Sequence, residues 1–119
     1  MSKVKLNLGC YDRKIHGFVN IDIREDVGPD VVDDVFKLHK FKSESVDLIY
    51  ACHVLEHADY KQSAMALKRW HEILKPGGTL RLAVPDMEAH FAHYYYHKDL
   101  RLLHSTFWGS QRHPFDYHK

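Results

Sequence analysis

The segment Val46–Cys52 constrains the fold more than any other part of this sequence. Its residues, Val-Asp-Leu-Ile-Tyr-Ala-Cys, are almost continuously apolar, which is the pattern of a strand that is buried on both faces. Such strands occur in parallel sheets that helices cover. The segment therefore predicts an α/β fold with helices on the faces of its sheet.

Further segments have the alternating or β-branched pattern of strands, namely Val4–Leu8, Phe18–Ile23, the valines at positions 31, 32 and 35, and Thr79–Val84. Together with Val46–Cys52 they predict an open, Rossmann-like, doubly wound sheet of five mainly parallel strands. Only nine residues separate Leu8 from Phe18, whereas a parallel crossover usually needs about a dozen. We therefore expect a loop or a stub of helix in the first crossover.

The clearest helix is predicted to begin after Asp59, because Gln62 follows three residues later as in a capping box. Apolar residues then recur at spacings of three and four on one face, namely Tyr60, Ala64, Leu67, Trp70 and Leu74. The run Lys75–Gly78 is expected to end this helix. A second helix is predicted from Asp86 to about His97, with an apolar stripe packed in the core, formed by Met87, Phe91 and Tyr94.

Composition limits the domain number and the kinds of partner. The 119 residues suffice for one domain, 1–119, in which 86–119 form a helical, aromatic-rich tail. A net charge of +1 leaves no basic excess, so nucleic-acid binding is not expected. The longest apolar run, Leu48–Cys52, has five residues, far below the roughly 20 of a membrane span. With two cysteines and no apolar secretion signal at the N-terminus, we predict a cytoplasmic protein.

The turn after the first predicted strand is a candidate ligand site. Ligands of doubly wound sheets bind at the carboxyl ends of strands, and Gly9 would let the backbone approach a ligand there. Asp22 ends the second strand and could accept hydrogen bonds from both hydroxyls of a ribose. The sequence has neither a G-x-G-x-x-G pattern nor a phosphate-binding loop, which favours a nucleoside. A plain turn and a solvated strand end fit this spacing equally well.

Five segments together resemble the class I S-adenosylmethionine (SAM) dependent methyltransferases, in particular their type 11 group. In chain order they are Leu6–Cys10, Gly17–Asp22, Val46–His57, Leu74–Leu80 and Val84–Asp86. The resemblance implies that SAM is the cofactor and that a methyl group passes to a small-molecule or glycan acceptor. The family's last two strands have no counterpart in the 119 residues, so a truncated class I fold is expected.

By position, the resemblance implies SAM contacts from Leu8, Gly9, Cys10, Asp22, Asp34, Val35, Ala51 and His53. In this arrangement Asp22 would hold the ribose hydroxyls and Asp34 the adenine amino group. Residues 8–10 and 51–53 would border the methionine part. Tyr11 departs from the family, which usually has a glycine there.

Three residues that follow predicted strands are candidates for taking a proton from the methyl acceptor, namely His53, His57 and Asp86. No metal site is predicted. Around Glu56 the sequence lacks the H-E-x-x-H order of zinc proteases. Cys10 and Cys52 are interpreted as small apolar residues rather than nucleophiles.

Two other functions are alternatives to methyl transfer. One is an inert SAM-binding or structural remnant without turnover. The other is a metal-binding interaction module on the second helix, where three histidines could share a face, His90, His93 and His97.

A homodimer is predicted, because Thr79–Val84 would be an unpaired edge strand. Aromatic residues that could form its interface follow in the tail, namely Tyr94, Tyr95, Tyr96, Phe107, Trp108, Phe115 and Tyr117. The main rival is that this tail folds back over the fifth strand or forms a lid on the cofactor pocket.

Overall fold

The computed structural model of the chain describes residues 2–109 and 118. The strands are β1 (Lys5–Leu8), β2 (Val19–Asp22), β3 (Val31–Val32), β4 (Val46–Cys52) and β5 (Leu74–Ala83). The helices are α1 (Tyr60–Ile73), α2 (Met87–His97) and α3 (Arg101–Trp108), with short 3-10 turns at Glu25–Val27 and Leu55–His57. None of the helices in this described part of the chain has the length and apolar character that a membrane crossing requires.

All five strands form one parallel sheet in the order β3-β2-β1-β4-β5. The predicted α/β, doubly wound fold is therefore confirmed. The chain winds outward from β1 to β3 and then returns to place β4 on the other side of β1. This reversal opens a crevice at the carboxyl ends of β1 and β4, which is where sheets of this kind bind ligands.

The crossover from β1 to β2 is a loop without a helix, as its length predicts. Two buried asparagines fix this loop. The side-chain amide of Asn7 donates to Asn20 Oδ1 at 2.9 Å and to the carbonyl of Arg13 at 3.0 Å. Asn20 Oδ1 also accepts the backbone N–H of Ile15 at 2.8 Å. The Asn20 amide donates in turn to Asp30 Oδ2 at 2.9 Å. Side-chain hydrogen bonds thus hold a crossover that usually depends on helix packing.

Helix α1 packs on the sheet through a different face from the predicted one. The capping box is present, since Asp59 Oδ1 accepts the Gln62 N–H at 2.8 Å and Gln62 Oε1 accepts the Asp59 N–H at 3.1 Å. The buried residues of the helix are Ala66, Trp70 and Ile73. Of the predicted face only Trp70 is buried and Leu74 half-buried, whereas Tyr60, Ala64 and Leu67 are exposed. The burial follows the stripe that faces Leu6, Ile49 and the other buried strand residues.

Strand β5 begins earlier than predicted, directly after α1. The Pro-Gly-Gly run lies inside it as an irregularity, because Val46 pairs with Leu74 while Leu48 already pairs with Thr79. Beyond this point the register is regular as far as Cys52 and Ala83. Strand β5 is the edge of the described sheet, and its side chains from Lys75 to Leu82 are exposed.

The predicted core stripe of α2 is wrong. None of the residues of α2 is buried, and Phe91 is 50% exposed. The helix packs chiefly against α3, where the Phe91 and Phe107 ring centroids lie 6.0 Å apart. The regular spacing of apolar residues in α2 therefore reflects contact with α3 and not contact with the sheet. The tail residues Phe115 and Tyr117 lie outside the described residues.

Candidate functional site

A cleft of about 600 Å³ lies at the carboxyl ends of the strands, within the usual size range of small-molecule sites. Its walls come from the segments that follow β1, β2, β3 and β4, together with Gln62 at the start of α1. Because these strands are parallel and adjacent, residues from distant parts of the sequence converge at one edge of the sheet. The cleft therefore occupies the crevice that the strand order creates.

Seven of the residues predicted for the site line this cleft, namely Gly9, Cys10, Asp22, Asp34, Val35, His53 and His57. Leu8 and Ala51 lie in the buried core instead, so only neighbouring residues face the cleft. Asp86 is not part of the lining, and its Oδ1 accepts the Ala89 N–H at 3.0 Å as the N-cap of α2. The roles assigned to all these residues remain predictions.

Asp22 joins the turns that follow β1 and β2. Its Oδ2 accepts the backbone N–H of Tyr11 at 2.9 Å, and its Oδ1 accepts that of Arg24 at 2.9 Å. Each carboxylate oxygen has two lone pairs, so each can accept one more hydrogen bond from a ligand. Asp22 is thus both a structural support of the cleft and a possible ribose ligand. Sequence reasoning identified only the second role.

Gly9 is required by the protein itself. Its φ of +64° lies in the left-handed region, and an added Cβ would stand 2.9 Å from Val54 Cγ2. From the sequence, glycine is predicted at this position because it lets a ligand approach the backbone. The structure adds a reason that does not involve a ligand: the turn after β1 lies directly against the turn after β4.

Tyr11 keeps a glycine-like backbone at the position where the resembling family usually has glycine. Its φ is 43°, which costs an L-residue free energy. The Arg24 guanidinium lies over its ring, 5.2 Å from the centroid, and also pairs with Asp26 at 2.8 Å. Sequence reasoning missed Arg24, and nothing in its local pattern singles it out.

The loop after β3 forms the wall predicted to bind adenine. Asp34 Oδ1 accepts the backbone N–H of Phe36 at 2.9 Å. The Val35 carbonyl accepts the indole N–H of Trp70 at 2.8 Å, and the Arg69 guanidinium donates to the carbonyls of Leu38 at 3.0 Å and Phe41 at 2.7 Å. Helix α1 therefore holds this wall in place from behind. Phe36 and Gln62 also line the cleft and were not predicted for the site.

His53 stands at the end of β4 with a positive φ of 54°. Its backbone N–H donates to the carbonyl of Ala83 at 2.8 Å, which ties it to β5. Its Nδ1 lies 3.1 Å from Glu56 Oε2. The imidazole is thus held at the cleft wall from two sides, and its neighbour His57 lies on the turn Leu55–His57.

The two cysteines lie in the cleft wall and are free. Burial raises the pKa of the Cys10 thiol, and the nearby charge of Asp22 raises it further. A thiol with a raised pKa stays protonated near neutral pH and is a poor nucleophile. This agrees with the interpretation of Cys10 as a small apolar residue.

The Methyltransf_11 family, described as a methyltransferase domain, matches residues 16–82 of this chain. The sheet also resembles that of a SAM-dependent methyltransferase from Archaeoglobus fulgidus, with 18% sequence identity and a TM-score of 0.52 over 61% of this chain and 40% of that chain. A second similar chain belongs to the complex between the Haloferax volcanii Trm112 methyltransferase activator and a putative methyltransferase. There the identity is 18% and the TM-score 0.58, over 81% of this chain and 52% of that chain.

At this identity the two solved structures support the fold alone. The chain spans between 40% and 52% of their lengths. No curated protein matches the sequence.

Proposed function

The chain belongs to the Methyltransf_11 family of methyltransferase domains, and from this premise we propose that it is a SAM-dependent methyltransferase. The acceptor that we propose is a small molecule or a glycan. One observation carries the proposal: the cleft lies at the reversal of strand order and is lined by Gly9, Asp22 and Asp34 at the ends of three adjacent strands.

The residues of the cleft fit SAM in two respects. Both Asp22 oxygens can accept a further hydrogen bond, which suits the two hydroxyls of a ribose. No side chain projects from Gly9, so the methionine part can lie against the turn after β1. In this proposal Asp34 accepts a hydrogen bond from the adenine amino group, and the backbone of Val35 borders the base.

When bound, SAM supplies a methyl group on a sulfonium that leaves as a neutral thioether. The protein must then hold the acceptor atom in line with this methyl, at about 3 Å. If the acceptor is a hydroxyl or an amine, it must also lose a proton. Of the three predicted candidates, His53 and His57 line the cleft while Asp86 does not. We assign this step to His53, because its ring nitrogen Nδ1 is in contact with a carboxylate. The contact with Glu56 Oε2 fixes the direction of the imidazole.

Calorimetric titration of the chain with SAM tests the binding proposal. Asp22→Asn should weaken binding by about tenfold or more, because a hydrogen bond to a charged group is worth about 1.5–3 kcal/mol. Asp26→Asn is the matched control, since Asp26 lies four residues further along, is exposed and is not part of the cleft lining. Equal affinity of wild type and Asp22→Asn would remove Asp22 from the site, and absence of SAM binding by the wild type would refute the proposed function.

Because Asp22 also supports two turns, the melting temperature of each variant must be recorded. Asp34→Asn provides a second, independent test at the end of β3, where the carboxylate accepts the Phe36 N–H within its own loop. A loss of affinity in Asp34→Asn with an unchanged melting temperature would support the adenine assignment.

Methyl transfer to a panel of hydroxyl, amine and carboxylate acceptors tests the activity. His53→Gln should lower kcat by about 10²–10⁴-fold for a hydroxyl acceptor, the usual loss for a general base. A similar loss in Asp86→Asn but not in His53→Gln would transfer the role to Asp86. SAM binding without transfer to any acceptor would favour the alternative of a SAM-binding protein without turnover.

For the protein partner we propose a second copy of this chain, joined through β5. The strand is unpaired on its outer side within the described sheet, and Leu80, Leu82 and Val84 are exposed there. Unpaired N–H and C=O groups at a sheet edge favour the addition of another strand. Light scattering should give twice the mass of one chain at micromolar concentration, and the mass of one chain would contradict the dimer.

A further inference from the structure

Three potential metal ligands converge beside the cleft, namely Glu56, His57 and His118. One donor atom from each lies within 4.8 Å of the other two. The rings of His57 and His118 have centroids 4.8 Å apart and are nearly perpendicular, at 83°. Two of these residues lie on the turn after β4, and the third comes from a distant part of the sequence.

The carboxylate of Glu56 gives an independent indication of a ligand. Its Oε2 is in contact with His53 Nδ1 at 3.1 Å. Its Oε1 is buried and has no hydrogen-bond partner among the residues that the structure describes. A buried carboxylate oxygen without a partner is costly, and a cation at this point would remove that cost.

We propose that Glu56, His57 and His118 bind a divalent transition-metal ion, with Zn²⁺ as the best fit. Two imidazole nitrogens and one carboxylate oxygen form a donor set that zinc accepts in catalytic sites, where the fourth position is open to water or substrate. Tetrahedral zinc with bonds of about 2.0–2.1 Å places its donors roughly 3.3 Å apart. The donors observed within 4.8 Å therefore need to approach one another by about 1.5 Å at most, which side-chain rotation can supply.

The metal would link His118 to the wall of the cleft. The backbone N–H of His118 donates to the carbonyl of Trp108 at 3.1 Å, so His118 itself is already held at the end of α3. His57 belongs to the cleft lining. A metal on His57 and His118 would thus fix the mouth of the cleft and leave its own open position near the bound ligand.

The competing explanation is unspecific binding, because the sequence contains eleven histidines. The most obvious rival pair is on α2, where the ring centroids of His93 and His97 lie 4.6 Å apart. The exposed His71 on α1 represents an isolated histidine. Substitution of His97 and His71 therefore provides matched controls for substitution of His118.

The experiment is calorimetric titration of the full, metal-stripped chain with Zn²⁺. We expect one saturable site in the wild type, and an affinity at least about tenfold lower in both His118→Gln and Glu56→Gln, since even residues that only support a ligand contribute about 10–100-fold. The Zn²⁺ affinities of His71→Gln and His97→Gln should stay within about twofold of the wild-type affinity, because neither histidine belongs to the proposed ligand set. Circular dichroism confirms that each variant is folded.

A second measurement tests the coordination geometry of the bound metal ion. Co²⁺ bound by the wild type should show the intense visible d–d bands of tetrahedral coordination, and these bands should be absent in His118→Gln. The proposal is overturned if the wild type has no saturable site, if His118→Gln binds Zn²⁺ like the wild type, or if His97→Gln loses as much affinity as His118→Gln. None of these outcomes depends on whether SAM binds.

Discussion

The region from β1 to α1 and the region from β5 to α3 differ in how many of their side chains are buried. The first has a buried core and contains all the described residues that line the cleft, from Gly9 to Gln62. The second has an exposed edge strand and a helix without buried residues. The two tryptophans show the contrast, because Trp70 in α1 is fully buried while Trp108 in α3 is 51% exposed. The binding geometry therefore rests on the well-packed region.

The largest expected difference is between the two tryptophans. Trp70→Ala should destabilise the chain by about 3–5 kcal/mol, the usual cost of removing a buried tryptophan, and it also leaves the Val35 carbonyl without the indole N–H. Trp108→Ala should change the free energy of unfolding by about 0.5 kcal/mol or less. Urea denaturation measures both. Comparable losses would show that the second region is packed as firmly as the first.

Two glycines, one in each region, provide a second comparison of how closely the regions are packed. Gly9 and Gly77 both have positive φ, +64° and +80°, so alanine is strained at either position by about 1–2 kcal/mol. Only at Gly9 does an added Cβ meet another atom, Val54 Cγ2 at 2.9 Å, whereas at Gly77 there is nothing within 4 Å. Gly9→Ala should therefore cost about 1–3 kcal/mol more than Gly77→Ala. Equal costs in urea denaturation would mean that Val54 moves aside freely.

The smallest expected effect is a difference in how salt changes the pKa values of two aspartates, Asp30 and Asp99. Hydrogen bonds from the backbone and side chain of Asn20 lower the pKa of Asp30 in the first region. In the second region, hydrogen bonds from the Arg101 side chain and backbone lower the pKa of Asp99. A carboxyl group with a lowered folded pKa stabilises the protein above its unfolded value of about 3.9, and this contribution is lost as the pH falls through the folded pKa.

Salt distinguishes the two aspartates. Asp99 bonds to a charged, exposed guanidinium, and about 1 M NaCl reduces the Debye length to roughly 3 Å. Carboxyl titration by NMR should therefore show the pKa of Asp99 rising toward its ordinary value in salt. The pKa of Asp30 should change less, because hydrogen bonds from the neutral Asn20 lower it more than the charge of Lys14 does. An equal response of both groups would contradict this distinction.

The sequence predicts the elements of this fold better than their contacts. Strand β4 was predicted to the residue because its apolar run is continuous, and the capping box at Asp59 is a local signal. The buried face of α1 was predicted wrongly, since spacings of three and four identify a helix but several faces satisfy them. Only the position of the sheet decides that Ala66 and Ile73, not Ala64 and Leu67, are covered.

The same limit applies to the site. Residues at strand ends, such as Gly9, Asp22 and Asp34, could be predicted because parallel strands bring their carboxyl ends together. The hydrogen bonds from Tyr11 and Arg24 to Asp22 could not be, since they depend on where two separate turns meet. His57 and His118 lie far apart in the sequence, so no local pattern predicts that their side chains come together.

The position of β1 in the middle of the sheet has a consequence for the order of folding. Strand β1 pairs with β2 across a short link but with β4 across a separation of about forty residues, as the hydrogen bond from Val4 N–H to Asp47 Oδ2 at 2.8 Å illustrates. The entropy of loop closure grows with the length of the loop, and distant pairings slow folding. We expect β1 and β2 to associate early, and β4 to pair with the other edge of β1 later. During that interval the central strand of the finished sheet is an edge, and the chain is then most exposed to association with other molecules.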